Sequence, residues 1–277
     1  LERMPLPLKV NGVSEADLLI RNIGMLATPE GAVPAAGKGM DRLRILAGAA
    51  VSIRNGVFDR VFEKGKIPKG TKARREIDAE GRLATPGLVD PHTHLVFAGS
   101  RHGEFDLRLR GTSYQEIAVK GGGILSTVDA VRETDAGELA CMAAGRLSRM
   151  LAEGTCAVEL KSGYGLDLET ELKLLRTIRR LRETTPQDLV ATFLGAHEVP
   201  REHRKDRETY VRHLVDRMIP AVAKEGLAEF CDVFCEAGVY SAHESRTILE
   251  AARKAGLGLR IHAEQLAHSG GALVSIP

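Results

Sequence analysis

Cysteine is scarce in this chain, with four in 277 residues, at Cys141, Cys156, Cys231 and Cys235. Four scattered thiols are too few for a disulfide framework, which argues against a small secreted scaffold. No apolar run approaches the ~18 residues of a membrane-spanning helix. The opening Leu1-Glu2-Arg3-Met4-Pro5 carries no secretory h-region. Neither sign of charge is in surplus: 39 Lys and Arg against 37 Asp and Glu leave +2. That gives no electrostatic case for nucleic acid or an anionic membrane. A glycine-rich phosphate loop directly after a strand is also missing, since no strand runs straight into Gly121-Gly122-Gly123. This run reads as a mobile loop over a site. What is left is ordinary globular composition, 43% hydrophobic and 27% charged. The length suits one large α/β domain or two smaller ones, and the expected setting is the cytoplasm.

Residues 1–85 read as β. Ala16 to Asn22 is a strand, and Ala50 to Arg54 and Val57 to Val61 flank Asn55-Gly56, the favoured dipeptide of a two-residue hairpin. Residues 27–41 read as a loop and Lys64 to Lys72 as a solvated turn. From residue 86 the grammar changes to alternating strand and helix. Strands are expected at Leu88–His92, Thr155–Leu160, Leu189–Leu194, Glu229–Cys235 and Leu257–Ile261. Helices are expected at about 135–153, 167–183, 207–224 and 242–255. Such alternation implies parallel βαβ units.

The residues after each strand are informative. They are His92-Thr93-His94, then Lys161-Ser162-Gly163-Tyr164-Gly165, then Gly195-Ala196-His197-Glu198, then Glu236-Ala237-Gly238, then His262-Ala263-Glu264-Gln265. Polar and metal-capable groups collect at strand C-termini, where a (β/α)₈ barrel builds its site. His92 and His94 stand at i and i+2 of a strand, so both imidazoles can reach one ion. In a chain with nine histidines a bare His-x-His arises by chance, but the preceding Pro86-Gly87 and the later strand-end histidines favour a metal site. Cys231 and Cys235 share a face by spacing, yet free cysteines are more often small buried hydrophobes.

The run Pro86-Gly87-Leu88-Val89-Asp90-x-His92-x-His94, with His262 ending the fifth strand, resembles the amidohydrolase superfamily. Within it, four segments are similar to the imidazolonepropionase family: Phe97 to Phe105, Lys161 to Gly165, Phe193 to Pro200, and His262 to Leu266. The resemblance runs from about residue 15 to the end. It implies a (β/α)₈ TIM barrel, of which about five βα units are present in residues 86–277. Residues 1–85 would be the N-terminal part of a small β-sandwich. It further implies one zinc or iron ion, a homodimer and a small-molecule substrate, 4-imidazolone-5-propanoate. The cyclic amide of that substrate would be hydrolysed to N-formimidoyl-L-glutamate in histidine degradation.

On that resemblance His92, His94 and His262 are the metal ligands. Arg101 binds the propionate carboxylate through parallel hydrogen bonds. Tyr114 and Tyr164 line the cleft. His197 bonds the imidazolone carbonyl or a ring nitrogen and polarises the amide. Related deaminases carry a glutamate three residues after the fifth-strand histidine, but that place here is Gln265, which cannot be a general base and is expected to bind substrate. Glu264, one residue earlier, is the catalytic candidate, and the proton shuttle stays unassigned. Two-metal relatives have a bridging lysine at the fourth-strand end. Here that stretch is Val233-Phe234-Cys235-Glu236, which favours one metal, with Glu236 a lesser ligand candidate. The family's aspartate at the eighth strand has no counterpart, since the chain stops soon after the fifth. The chain therefore reads as a C-terminally truncated piece, expected to be inactive or poorly folded alone. Two other readings stand beside this one: another mononuclear amidohydrolase acting on a heterocycle, and a non-catalytic metal-binding fragment.

Overall fold

The computed structural model describes residues 15–29, 31, 35–113, 116–117 and 122–275. Tyr114 and Gly121 lie outside them. The chain divides into two compact units, Leu1–Pro86 and Gly87–Pro277.

The first unit is one mixed sheet of five strands: β1 (Ala16–Pro29), β2 (Leu43–Arg54), β3 (Val57–Phe62), β4 (Ala73–Asp78) and β5 (Leu83–Ala84). The order is β3-β2-β1-β4, with β5 also beside β1. β1 runs antiparallel to β2 and parallel to β4 and β5. The β2–β3 turn is Asn55-Gly56, both at positive φ (52° and 75°), the two-residue geometry that matches strand twist. Ile23, Leu26, Ala49 and Val51 form its small core. One expectation changes here. Residues 27–29, read as loop, continue β1, because Ala27, Thr28 and Pro29 pair with Ile45, Arg44 and Leu43.

The second unit is α/β. Its strands are β6 (Leu88–Thr93), β7 (Thr155–Lys161), β8 (Asp188–Ala196), β9 (Phe230–Cys235), β10 (Gly258–Leu259) and β11 (His262–Ala263). They form a parallel half-barrel sheet in the order β10-β9-β8-β7-β6, with β11 also on β9. The helices are α1 (His102–Leu109), α2 (Ile124–Glu133), α3 (Ala136–Ala152), α4 (Leu168–Thr184), α5 (Arg207–His213), α6 (Ile219–Glu225) and α7 (Ala242–Lys254).

Local chemistry sets the ends of these helices. Asp135 caps α3 through the amides of Gly137 and Glu138. Asp167 caps α4 through Thr170 N–H. Ser241 and Glu244 form a reciprocal capping box on α7. On α3 the buried residues Leu139, Ala143 and Leu147 recur every four positions, one stripe facing the sheet.

The sequence reading placed a single helix over 207–224. A π turn, Leu214–Met218, separates α5 from α6 there. Pro220 has no N–H to give the Asp216 carbonyl, so the regular ladder slips at that point. The strand expected over Leu257–Ile261 is split into β10 and β11. Helices α1 and α2 had no counterpart in the reading.

Close approach fixes Gly87 at the head of β6. A Cβ there would lie 2.5 Å from Cys156 Sγ and 2.6 Å from Cys156 Cβ, on the neighbouring strand.

Candidate metal centre

The strand C-termini of the second unit open into a cavity of about 540 Å³. Its lining includes His92 and His94 from the end of β6, Tyr164 after β7, His197 after β8, Phe234 from β9, and His262 and Gln265 from β11 and beyond. Arg101, Glu104, Phe105 and Arg108 of the α1 region complete one wall.

Three imidazoles meet at the base. One ligand atom from each of His92, His94 and His262 lies within 4.8 Å of the other two. His94 Nε2 stands 3.2 Å from His262 Nε2. Zinc–nitrogen bonds of about 2.0–2.1 Å in a tetrahedron put ligand nitrogens roughly 3.3 Å apart, close to that separation. The donor set fits zinc or iron. Burial, and then the neighbouring His197, His262 and His92, push His94 down to about 2, so it is neutral at pH 7 and one ring nitrogen keeps a lone pair to ligate. Burial lowers His92 as well. The Nδ1 of His94 is buried with no hydrogen-bond partner among the described residues.

Arg146 shapes the approach from β6. Its guanidinium donates to the carbonyls of Leu95 and Phe97 and sits 3.7 Å over the Phe97 ring. The β7 loop is held by a buried carboxylate. Glu171, in the first turn of α4, accepts the N–H groups of Gly163, Gly165 and Leu166. This sets Tyr164 beside the stacked His94 and His197 rings, with centroids at 6.0 and 5.4 Å.

The same loop dictates the tautomer of His197. Its Nδ1 lies 2.9 Å from the Gly163 carbonyl, which can only accept, so Nδ1 carries the proton. Burial holds the ring at about 4, hence neutral at pH 7. Its Nε2 is therefore a hydrogen-bond acceptor. Polarising a substrate carbonyl requires a donor, so that part of the expected role of His197 does not stand.

Gln265 lines the cavity and Glu264 does not. The strand ends at Ala263, and Glu264 adopts a left-handed conformation (φ 60°). Its carboxylate turns to the His268 ring at 2.7 Å and to Ser269 N–H. The catalytic candidacy of Glu264 is thus not matched by its placement. Glu236 is likewise occupied, accepting the N–H groups of Ala237 and Leu266. Cys231 and Cys235 are buried core thiols outside the metal cluster.

A buried ion cluster beneath the imidazoles escaped the sequence reading. Lys161 bridges Glu159 and Asp232 at 2.8 Å each, and Asp232 approaches His262. The signal was present: Glu159 and Lys161 alternate with Val158 and Leu160, so two charges share the inner face of a core strand.

Comparisons with known proteins bear on this arrangement. The Amidohydrolase family model matches residues 75–123. The imidazolonepropionase of Thermoanaerobacter pseudethanolicus is 46% identical over 257 residues, 93% of this chain and 61% of the relative. That of Symbiobacterium thermophilum is 49% identical over 263 residues, 94% of this chain and 62% of the relative. The chain is similar to imidazolonepropionases over nearly all of its own length. It spans about three-fifths of the relatives it matches. Among solved structures, the 5-methylcytosine deaminase of Klebsiella pneumoniae liganded with phosphonocytosine aligns with a TM-score of 0.61 at 15% identity. It covers 92% of this chain and 54% of that one. An ochratoxinase of A. niger aligns at 0.57 and 15%, covering 95% and 58%. These two show a shared fold. No helix among the described residues is long and apolar enough to cross a membrane.

Proposed function

We propose that the protein of which this chain is part hydrolyses the cyclic amide of 4-imidazolone-5-propanoate to N-formimidoyl-L-glutamate. The single observation that carries this reading is three strand-end imidazoles at the base of a cavity whose wall presents Arg101. The similarity to imidazolonepropionases supports it. His92, His94 and His262 would hold one zinc or iron ion. When bound, such an ion supplies a water nucleophile active near neutral pH.

The chain's own groups then bind and orient the substrate. Arg101 pairs with the propionate carboxylate in a two-bond fork, for which its planar donors are suited. His197 Nε2 accepts a ring N–H. The Tyr164 ring closes one side, and its hydroxyl bonds a polar edge of the substrate. Gln265 offers an acceptor and a donor to the ring's N–H and C=O pair. The larger setting is proposed as a (β/α)₈ barrel with a small β-sandwich, working as a cytoplasmic homodimer. Residues 1–85 would contribute to the sandwich and 86–277 to the barrel.

The test is ring opening of 4-imidazolone-5-propanoate by a protein of full family length that contains this chain, with metal content determined on the same sample. Turnover with about one metal per chain supports the reading. Bound metal without turnover moves the assignment to another heterocyclic amide or amine. Absence of both leaves the triad without its expected role.

A further inference from the structure

The buried charges beneath the imidazoles do not line the cavity, and the proposed chemistry does not use them. Asp232 of β9 is 1% exposed, and Lys161 of β7 equally so. Asp232 Oδ2 receives Lys161 Nζ at 2.8 Å and lies 3.0 Å from His262 Nδ1. Lys161 also donates to Glu159 Oε1 at 2.8 Å. That oxygen further receives Thr192 Oγ1 at 2.5 Å and stands 3.0 Å from Arg260 Nη1. Two carboxylates and two cations balance, so the cluster is neutral when His262 is neutral.

Stability alone does not account for such a cluster. Replacing a buried ion group with well-packed hydrophobic residues is often neutral or favourable. What the charges provide is a fixed acceptor on one side of His262. Asp232 Oδ2 lies 3.0 Å from Nδ1 without an aligned hydrogen bond, so the contact is electrostatic; a proton on Nδ1 would face that charge and leave the lone pair of Nε2 on the opposite edge of the ring. That edge faces His94 Nε2 at 3.2 Å, the centre of the triad.

We propose that Asp232 is a positioning residue that sets the Nδ1–H tautomer and the ring orientation of His262, and that Lys161, held by Glu159, fixes Asp232 in place for this task. The inference rests on the metal reading of the triad.

The experiment has two arms, both on a protein of full family length that contains this chain. The first is cobalt(II) titration, read by its visible absorption, of the wild type and of the double variant Asp232→Leu with Lys161→Met. That pair removes one charge of each sign and so spares the fold the cost of an unpaired ion. The wild type should bind one cobalt per chain, and the double variant about 10–100-fold more weakly, with its metal-free melting temperature preserved. The single variant Asp232→Asn keeps an acceptor of the same size and should recover most of the affinity. The second arm is two-bond proton–nitrogen spectroscopy of the metal-free chain at pH 7. His262 should carry its proton on Nδ1 in the wild type and on Nε2 in the double variant. Equal cobalt affinity in wild type and double variant, or a wild-type His262 protonated on Nε2, overturns the proposal. If the wild type binds no cobalt, the metal reading fails and the proposal with it. If metal binds but the tautomer is wrong, the proposal fails alone.

Discussion

Replacing Glu171 separates the cost of burying a charge from the value of what the charge holds. Its carboxylate is fully buried and takes the backbone N–H groups of Gly163, Gly165 and Leu166 at 2.7–3.2 Å. Glu171→Ala leaves three buried donors without an acceptor, at roughly 1–3 kcal/mol each. The sum, about 3–9 kcal/mol, rivals the whole stability of a domain, about 5–15 kcal/mol, so this variant should not fold normally. Glu171→Gln keeps an oxygen at the Oε1 site, which serves all three donors. It should cost only about 1–2 kcal/mol, because weaker neutral bonds are offset by relief of the buried charge.

The pH dependence follows with a definite sign. Burial pushes the Glu171 carboxyl up, against the hydrogen bonds of Ser162 and the three amides. The folded state therefore holds a proton there more readily than the unfolded chain, whose value is about 4.3. Stability from this group is present at low pH and is lost as pH rises through the folded value. Urea unfolding of wild type and Glu171→Gln, from pH 7 down to pH 4, should show the difference moving in favour of the wild type as acid is added. A flat difference, or one moving the other way, refutes the reasoning. So does a Glu171→Ala variant that is as stable as the wild type.

Other outcomes are expected on related grounds. Gly163→Ala places a Cβ 2.8 Å from the Leu194 carbonyl and 2.9 Å from His197 Nδ1, at a φ of +104°. It should cost about 1–3 kcal/mol in thermal unfolding and shift the His197 ring resonances. Arg101→Ala, in the full-length protein, should raise KM by about 30–150-fold with a smaller change in kcat. This corresponds to about 2–3 kcal/mol for a charge-assisted fork, and Arg101→Lys should restore only part of it. An unchanged KM would remove Arg101 from carboxylate binding. Thiol titration should find Cys141 and Cys156 reactive in the folded chain. Cys231 and Cys235, both buried, should react only on unfolding, the Cys231 thiol being pushed up by burial and by Asp232.

Much of this was legible in the sequence because periodicity and strand-end chemistry are local. The β6–β9 strands, the helix starts near residues 135 and 167, and the Asn55-Gly56 turn all declare themselves within a few residues. Strand-end placement gave the His92–His94 pair, and the family resemblance added His262 to it. What escaped reading depends on contacts distant in sequence or on backbone detail. Asp232 meets Lys161 across 71 positions. The turn of Glu264 away from the cavity comes from one left-handed residue just past a strand end. The tautomer of His197 is set by a carbonyl 34 positions away. Helix α1 has no buried residue, so it lacks the apolar stripe on which helix reading depends.

The contact between Gly87 and Cys156 makes the order of substitutions matter. A side chain at position 87 collides with the Cβ of residue 156 as well as with its sulfur, so shrinking Cys156 even to alanine opens no room. Position 87 can accept a larger residue only in a lineage where position 156 has first become glycine, an intermediate that weakens a core strand. Position 156, by contrast, can drift among small residues while Gly87 stays. Across descendants of this sequence, change at 156 should therefore be frequent and independent, and change at 87 rare and always second.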